Sequence, residues 1–114
     1  MASQRDAEID ALVQNAFATM AVLNRIAAEN DFSLTQLRAL AILRGRRLRM
    51  SALADYLGLE RSTLSGLIDR AERRGLVVRE PSADDRRVIE VALSAEGKKL
   101  AQRINTQLRR ALAL

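Results

Sequence analysis

The sequence predicts a mainly α-helical domain with one small β-hairpin, and three observations carry that prediction. Apolar residues recur at helical spacing through most of the 114 residues, aromatics make up only 3%, and β-branched alternation is confined to "LVVRE" and "RRVIEVAL". Each element follows from local residues. Ile9, Leu12, Val13, Ala16, Phe17, Met20 and Leu23 fall at the spacing of a helix with one buried stripe, predicting a long first helix over about residues 6–29. "NDF" interrupts it. Ser33 and Gln36 have capping-box spacing for a second helix through Leu34, Leu37, Leu40, Ala41 and Leu43, which stops at Gly45. After an arginine-rich loop, Ser51 is placed to cap the short helix "ALADYL". Gly58 then supplies a turn, and Leu64, Leu67, Ile68 and Ala71 mark one face of a further helix that ends at Gly75. "PSADD" carries the turn residues of the hairpin, and Ser94 caps a last helix in which Leu100, Ile104, Leu108 and Leu112 recur every four residues.

No internal repeat or linker divides the chain, so residues 1–114 read as a single domain. Its centre is a lobe at 35–93, and the helices at 6–30 and 94–114 flank it. The aromatics Phe17, Phe32 and Tyr56 are expected in the core.

Composition narrows the chemistry. With no cysteine and no histidine there is no disulfide, no thiolate nucleophile and no thiol redox sensor, and no metal site or cofactor is expected. No base-activated nucleophile is evident, so an enzyme is the weakest reading. No apolar run approaches membrane-spanning length and the first ten residues are charged, so a cytoplasmic, nucleoid-associated protein with no membrane partner is expected.

A net charge of +5 and a pI near 10.9 favour a polyanionic partner, and the placement of charge says more. Residues 1–31 carry two arginines against five acids, whereas residues 38–49 carry Arg38, Arg44, Arg46, Arg47 and Arg49 with no acid. A helix, a glycine turn, a second helix and then a hairpin is the layout of a winged helix-turn-helix, in which the second helix enters the major groove of DNA. If Leu64 marks the buried direction, the opposite face of that helix carries Ser62, Gly66, Asp69 and Arg73, with Arg61 and Ser65 on its flank. Short hydroxyl donors, arginines and helix-terminal amides suit phosphates and base edges. Gly66 leaves a gap through which the helix backbone can approach a groove wall or a neighbouring side chain can reach a base. Arg86 and Arg87 at the hairpin tip suit a narrow minor groove. A salt-laced solvent face is the alternative reading of the same residues.

The run "LADYLGLERSTLSGLIDRAERRGLVVR" followed by "DDRRVIEVALSAEG" resembles the MarR (multiple-antibiotic-resistance regulator) family of bacterial and archaeal transcription factors over about residues 35–97. The matching motifs are a recognition helix rich in small residues, an R-G-L-V-x-R exit at Arg74 to Arg79, an acidic–Arg–Arg wing at Asp85 to Arg87, and an L-S-x-x-G helix start at Leu93 to Gly97. The resemblance implies a homodimer that reads a pseudo-palindromic operator in double-stranded DNA. It also implies a repressor, released by a small-molecule effector that cannot be named from sequence. Ser62, Thr63, Ser65 and Arg70 become groove and phosphate contacts by resemblance, Arg86 becomes a wing contact together with Arg87, and Asp85 would orient a wing arginine. Ser51, Arg61, Gly66 and Arg73 complete the expected DNA-contacting set. Ile9, Leu12, Leu100, Ile104, Leu108 and Leu112 form the expected dimerisation set. Two departures stand out: many relatives carry a long polar or basic residue where Gly66 stands, and the family pattern continues about one helix beyond Leu114. The rival readings are a winged-helix module for protein–protein contact, or a truncated partner that dimerises without binding DNA.

Overall fold

Residues 3–113 are described by a computed structural model, and its helices begin and end where the chain supplies caps and left-handed turns. The order is α1 (Gln4–Glu29), α2 (Leu34–Ile42), β1 (Leu48–Arg49), α3 (Met50–Leu57), α4 (Arg61–Arg73), β2 (Val77–Pro81), β3 (Ile89–Leu93) and α5 (Ala95–Ala111). Ser3 with Asp6, and Ser33 with Gln36, form reciprocal capping boxes at the starts of α1 and α2. Ser94 Oγ caps α5 by accepting from the Gly97 N–H. Three helices share one kind of ending. After α3 and α4, Gly58 (φ 66°) and Gly75 (φ 73°) turn left-handed, so that Leu59 N–H reaches Ala54 O and Leu76 N–H reaches Ala71 O. Asp31 (φ 60°) does the same after α1, and there Phe32 N–H donates to Ala27 O.

The second cap placement is corrected. Ser51 lies inside α3, whose N-cap is Arg49, with no side-chain hydrogen bond at that cap. The hairpin also has a third strand that the sequence reading lacked, because β1 pairs antiparallel with β3 (Leu48↔Val91, Arg49↔Glu90). With β2 on the other side of β3 (Val77↔Leu93, Pro81↔Ile89), the sheet order is β1-β3-β2. Two residues, one of them an arginine, are too short a run to show period-two alternation.

The core lies between α2, α3, α4, α5 and the inner face of the sheet. Ile26, Leu43, Leu53, Leu64, Ile68 and Val91 are its fully buried side chains. α1 touches this core only through its C-terminal part, with Ile26 and Ala27 buried and Val22 and Leu23 packed alongside. The predicted buried stripe farther up α1 is therefore corrected: Ile9, Leu12, Val13, Phe17 and Met20 are all exposed, Phe17 by 71%. Tyr56 is exposed as well, and of the three aromatics only Phe32 packs against the core. No helix among the described residues is long and apolar enough to cross a membrane.

Candidate nucleic-acid interface

α4 presents two faces because its apolar residues recur every three to four positions. Leu64, Leu67 and Ile68 enter the core, leaving Arg61, Ser62, Thr63, Arg70 and Arg73 exposed and Ser65 and Gly66 partly so. Thirteen residues at about 1.5 Å each give a rod about 20 Å long, which suits a major groove about 12 Å wide. Its N-cap, Glu60, makes no side-chain capping bond, and the Ser62 and Thr63 hydroxyls have no hydrogen-bond partner among the described residues. The first-turn amides of α4 and two adjacent hydroxyls thus stay open to an external acceptor, the arrangement that holds phosphate at helix N-termini.

Acids on this surface are largely accounted for. Arg79 on β2 reaches across to α4, with Nη2 at 2.6 Å from Asp69 Oδ1 and Nε at 3.0 Å from Glu72 Oε1. Asp69, read from the sequence as part of the outward face, is thereby paired, sharing Arg79 with Glu72, and α4 is tied to the sheet. Arg47 similarly joins Glu80 at 2.9 Å and Glu90 at 3.5 Å across β2 and β3. Arg61, Arg70, Arg73 and Arg86 have no carboxylate within ion-pair distance among the described residues. What α4 turns outward is net cationic.

At the wing tip, Asp85 grips Arg87. The Arg87 Nε–H donates to Asp85 Oδ1 and Nη2 to Oδ2, each at 3.1 Å, and the Arg87 backbone N–H donates to Oδ1 at 3.0 Å. The Arg87 side chain stays 91% exposed while held. Sequence reasoning put Arg86 first, but the arginine with a fixed direction is Arg87. These bonds, the side-chain one first, hold the Asp85 carboxyl below its ordinary value of 3.8, with Arg49 adding a weaker attraction. A depressed folded-state value means the pairing is intact above 3.8 and is lost only as pH falls through the lowered value. In an NMR titration the Arg87 Nε–H resonance should therefore stay flat through the ordinary aspartate range and move only below it. Movement centred on the ordinary value would refute the bidentate pair.

The remaining predicted residues divide. Ser51 is half-buried inside α3. At Gly66 an added Cβ would lie 3.6 Å from Arg70 Nη1, an ordinary contact, so steric need within the protomer does not explain the glycine. The Arg70 guanidinium lies over that gap. Of the dimerisation set, Leu100 and Ile104 are spent in the protomer's own core at 7% and 3% exposure, and Leu108 packs against it, whereas Ile9 and Leu12 stand free. A four-residue repeat shows which face of α5 is buried but not against what.

Sequence reasoning named no residues lining a ligand cavity. A groove of about 220 Å³ lies among Leu23 of α1, Leu37 and Leu40 of α2, and Ile104 and Leu108 of α5, with Arg38 and Arg44 at its margin. Its lining is scattered over three helices, which only the fold brings together.

The comparisons agree with this geometry. A sequence profile described as MarR family matches residues 30–88. The chain is 35% identical over 89 residues to YfiV, an uncharacterized HTH-type transcriptional regulator of Bacillus subtilis, a match covering 74% of this chain and 56% of the relative. The chain thus spans little more than half the length of that relative. Among solved structures, a MarR family protein from Bacillus stearothermophilus superposes with TM-score 0.81 at 27% identity, over 99% of this chain and 80% of that one. NadR, solved with 4-hydroxyphenylacetate, gives 0.78 at 27%, over 99% and 81%. The fold is that of the winged helix-turn-helix regulators, and the chain belongs to the MarR family of transcriptional regulators.

Proposed function

We propose that the protein is a sequence-specific, double-stranded DNA-binding repressor that acts in the cytoplasm as a homodimer. The observation that carries this reading is the outward face of α4. It combines open helix amides, free Ser62 and Thr63 hydroxyls and the unpaired Arg61, Arg70 and Arg73, and it stands beside a wing whose Arg87 is already aimed. Phosphates are held by the amides, hydroxyls and Arg61, bases are read by Ser65, Arg70 and Arg73, and groove shape is read by Arg87 with Arg86. The exposed apolar residues of α1 support a second copy as the partner, since monomeric soluble proteins rarely expose so continuous an apolar face. Selection of bound sequences from random duplexes tests the whole reading: enrichment of two inverted half-sites is expected, and no enrichment would overturn it. A module for protein–protein contact alone would show affinity for DNA that hardly changes with salt.

The wing assignment has its own test. Arg87→Ala should weaken operator binding by about tenfold, and Asp85→Ala by less, because it frees the arginine without removing it. Arg86→Ala should fall below Arg87→Ala in effect in a gel-shift titration. The reverse order would return the contact to Arg86.

The groove between α1, α2 and α5 suits release by a small effector. Its walls are almost wholly apolar and its margin carries Arg38 and Arg44, which favours an anion with an apolar body. NadR's complex with 4-hydroxyphenylacetate supports the same class of ligand here.

A further inference from the structure

The motif from Arg74 to Arg79 contains two arginines that pull on opposite sides of α4. Arg79 ties the helix to the wing. Arg74, the residue directly after α4, reaches away from it: Nη1 donates to Asp31 O at 3.1 Å and Nη2 to Asn30 O at 3.0 Å. Its guanidinium carbon also lies 4.3 Å from the centre of the Phe32 ring. One planar group therefore holds three consecutive residues, the corner where α1 turns into α2. That corner offers what a guanidinium needs. The last carbonyls of a helix lack intrahelical partners and sit at its negative end, and the last turn of α1 contains no basic residue of its own. The corner is also well defined, with Asp31 left-handed and the Asp31 and Phe32 amides bonded back to Ala28 O and Ala27 O at 3.1 and 2.8 Å.

We propose that Arg74 is a positioning residue: it fixes the direction of α4 relative to α1, and so sets the separation of the two reading helices in the dimer. The second clause rests on α4 being the DNA-reading helix of a homodimer. α1 carries the exposed apolar face, α4 carries the reading face, and Arg74 joins the end of one directly to the end of the other. A guanidinium suits this better than an ammonium because its two forked donors and flat face fix an orientation as well as a distance.

Two measurements test the proposal. Since the chain has no cysteine, nitroxides at Ala21→Cys on α1 and Thr63→Cys on α4 report their mutual distance without background labelling, in samples diluted with unlabelled protein. Arg74→Met, which keeps an apolar stem on Phe32 but removes the donors, should widen that distance distribution about twofold. An unchanged width overturns the proposal. On duplexes whose selected half-sites are moved closer or farther by one base pair, the wild type should lose about tenfold in affinity and Arg74→Met less than about threefold. A general loss of stability would not flatten that preference. Equal discrimination by the two proteins overturns the proposal, and Arg74→Lys is read in the same way if the methionine variant does not fold. A wild type that selects no paired half-sites overturns the dimeric reading and the spacing clause with it, while the spin-label widths judge the Arg74 contact by themselves.

Discussion

Gly97→Ala is expected to destabilise the protein by about 3 kcal/mol, although alanine is the better helix former by about 1 kcal/mol. The reason lies in how α5 begins. The Gly97 N–H donates to Ser94 Oγ at 3.0 Å, Ser94 Oγ donates to Gly75 O at 2.6 Å, and the Ser94 N–H donates to Leu76 O at 2.9 Å. These bonds draw the first turn of α5 onto the backbone that leaves α4. A Cβ at residue 97 would land on the Leu76 carbonyl oxygen, which is backbone and cannot swing aside as a side chain would. Making room would separate α5 from Leu76 and Val77, both buried, and weaken the hydrogen bonds that hold the turn. Urea denaturation reads the effect directly. A gain in stability, as at an ordinary exposed helical glycine, would show that the close approach is wrong.

Leu12→Glu combined with Phe17→Glu is expected to leave the protomer folded and to abolish the proposed dimer. Both side chains are largely exposed, at 69% and 71%, and glutamate is a good helix former, so neither core nor helix loses anything. A partner surface would lose two apolar contacts and gain repulsion between like charges. Operator affinity should fall about a hundredfold or more, because two half-sites bound through linked domains benefit from effective concentration and single domains do not. Light scattering and gel-shift titration measure the two parts. A double variant that stays dimeric and binds as tightly would remove α1 from the interface. Full binding by a monomer would break the link between assembly and affinity.

Helix existence was legible in the sequence because apolar periodicity and caps are local: Ser33 with Gln36, Ser94, Gly58 and Gly75 all act where they stand. Three things were not local. A stripe such as Ile9–Leu12–Phe17 shows that a helix has an apolar face but not whether its own chain covers it, whereas in the every-fourth repeat of α5 the chain itself covers Leu100 and Ile104. The pairing of β1 with β3 depends on a partner more than forty residues away. Arginine partners are also invisible in one dimension. Arg47, Arg74 and Arg79 hold carboxylates or carbonyls on distant elements, while Arg61, Arg70 and Arg73 resemble them in sequence and have no carboxylate partner among the described residues. Proximity did serve for Asp85 and Arg87, two residues apart, although it could not say which of the adjacent arginines would be held.

The strand order leaves β2 at one margin of the sheet, and that margin has unpaired backbone groups of the kind that recruit a strand from another molecule. Its residues discourage such recruitment. Arg79 and Glu80 place charges along it, each engaged by a neighbour within the chain, and Pro81 at its end has no N–H to offer. Stacking of wing upon wing through β2 is thereby disfavoured, which leaves the apolar face of α1 as the surface for the proposed dimer.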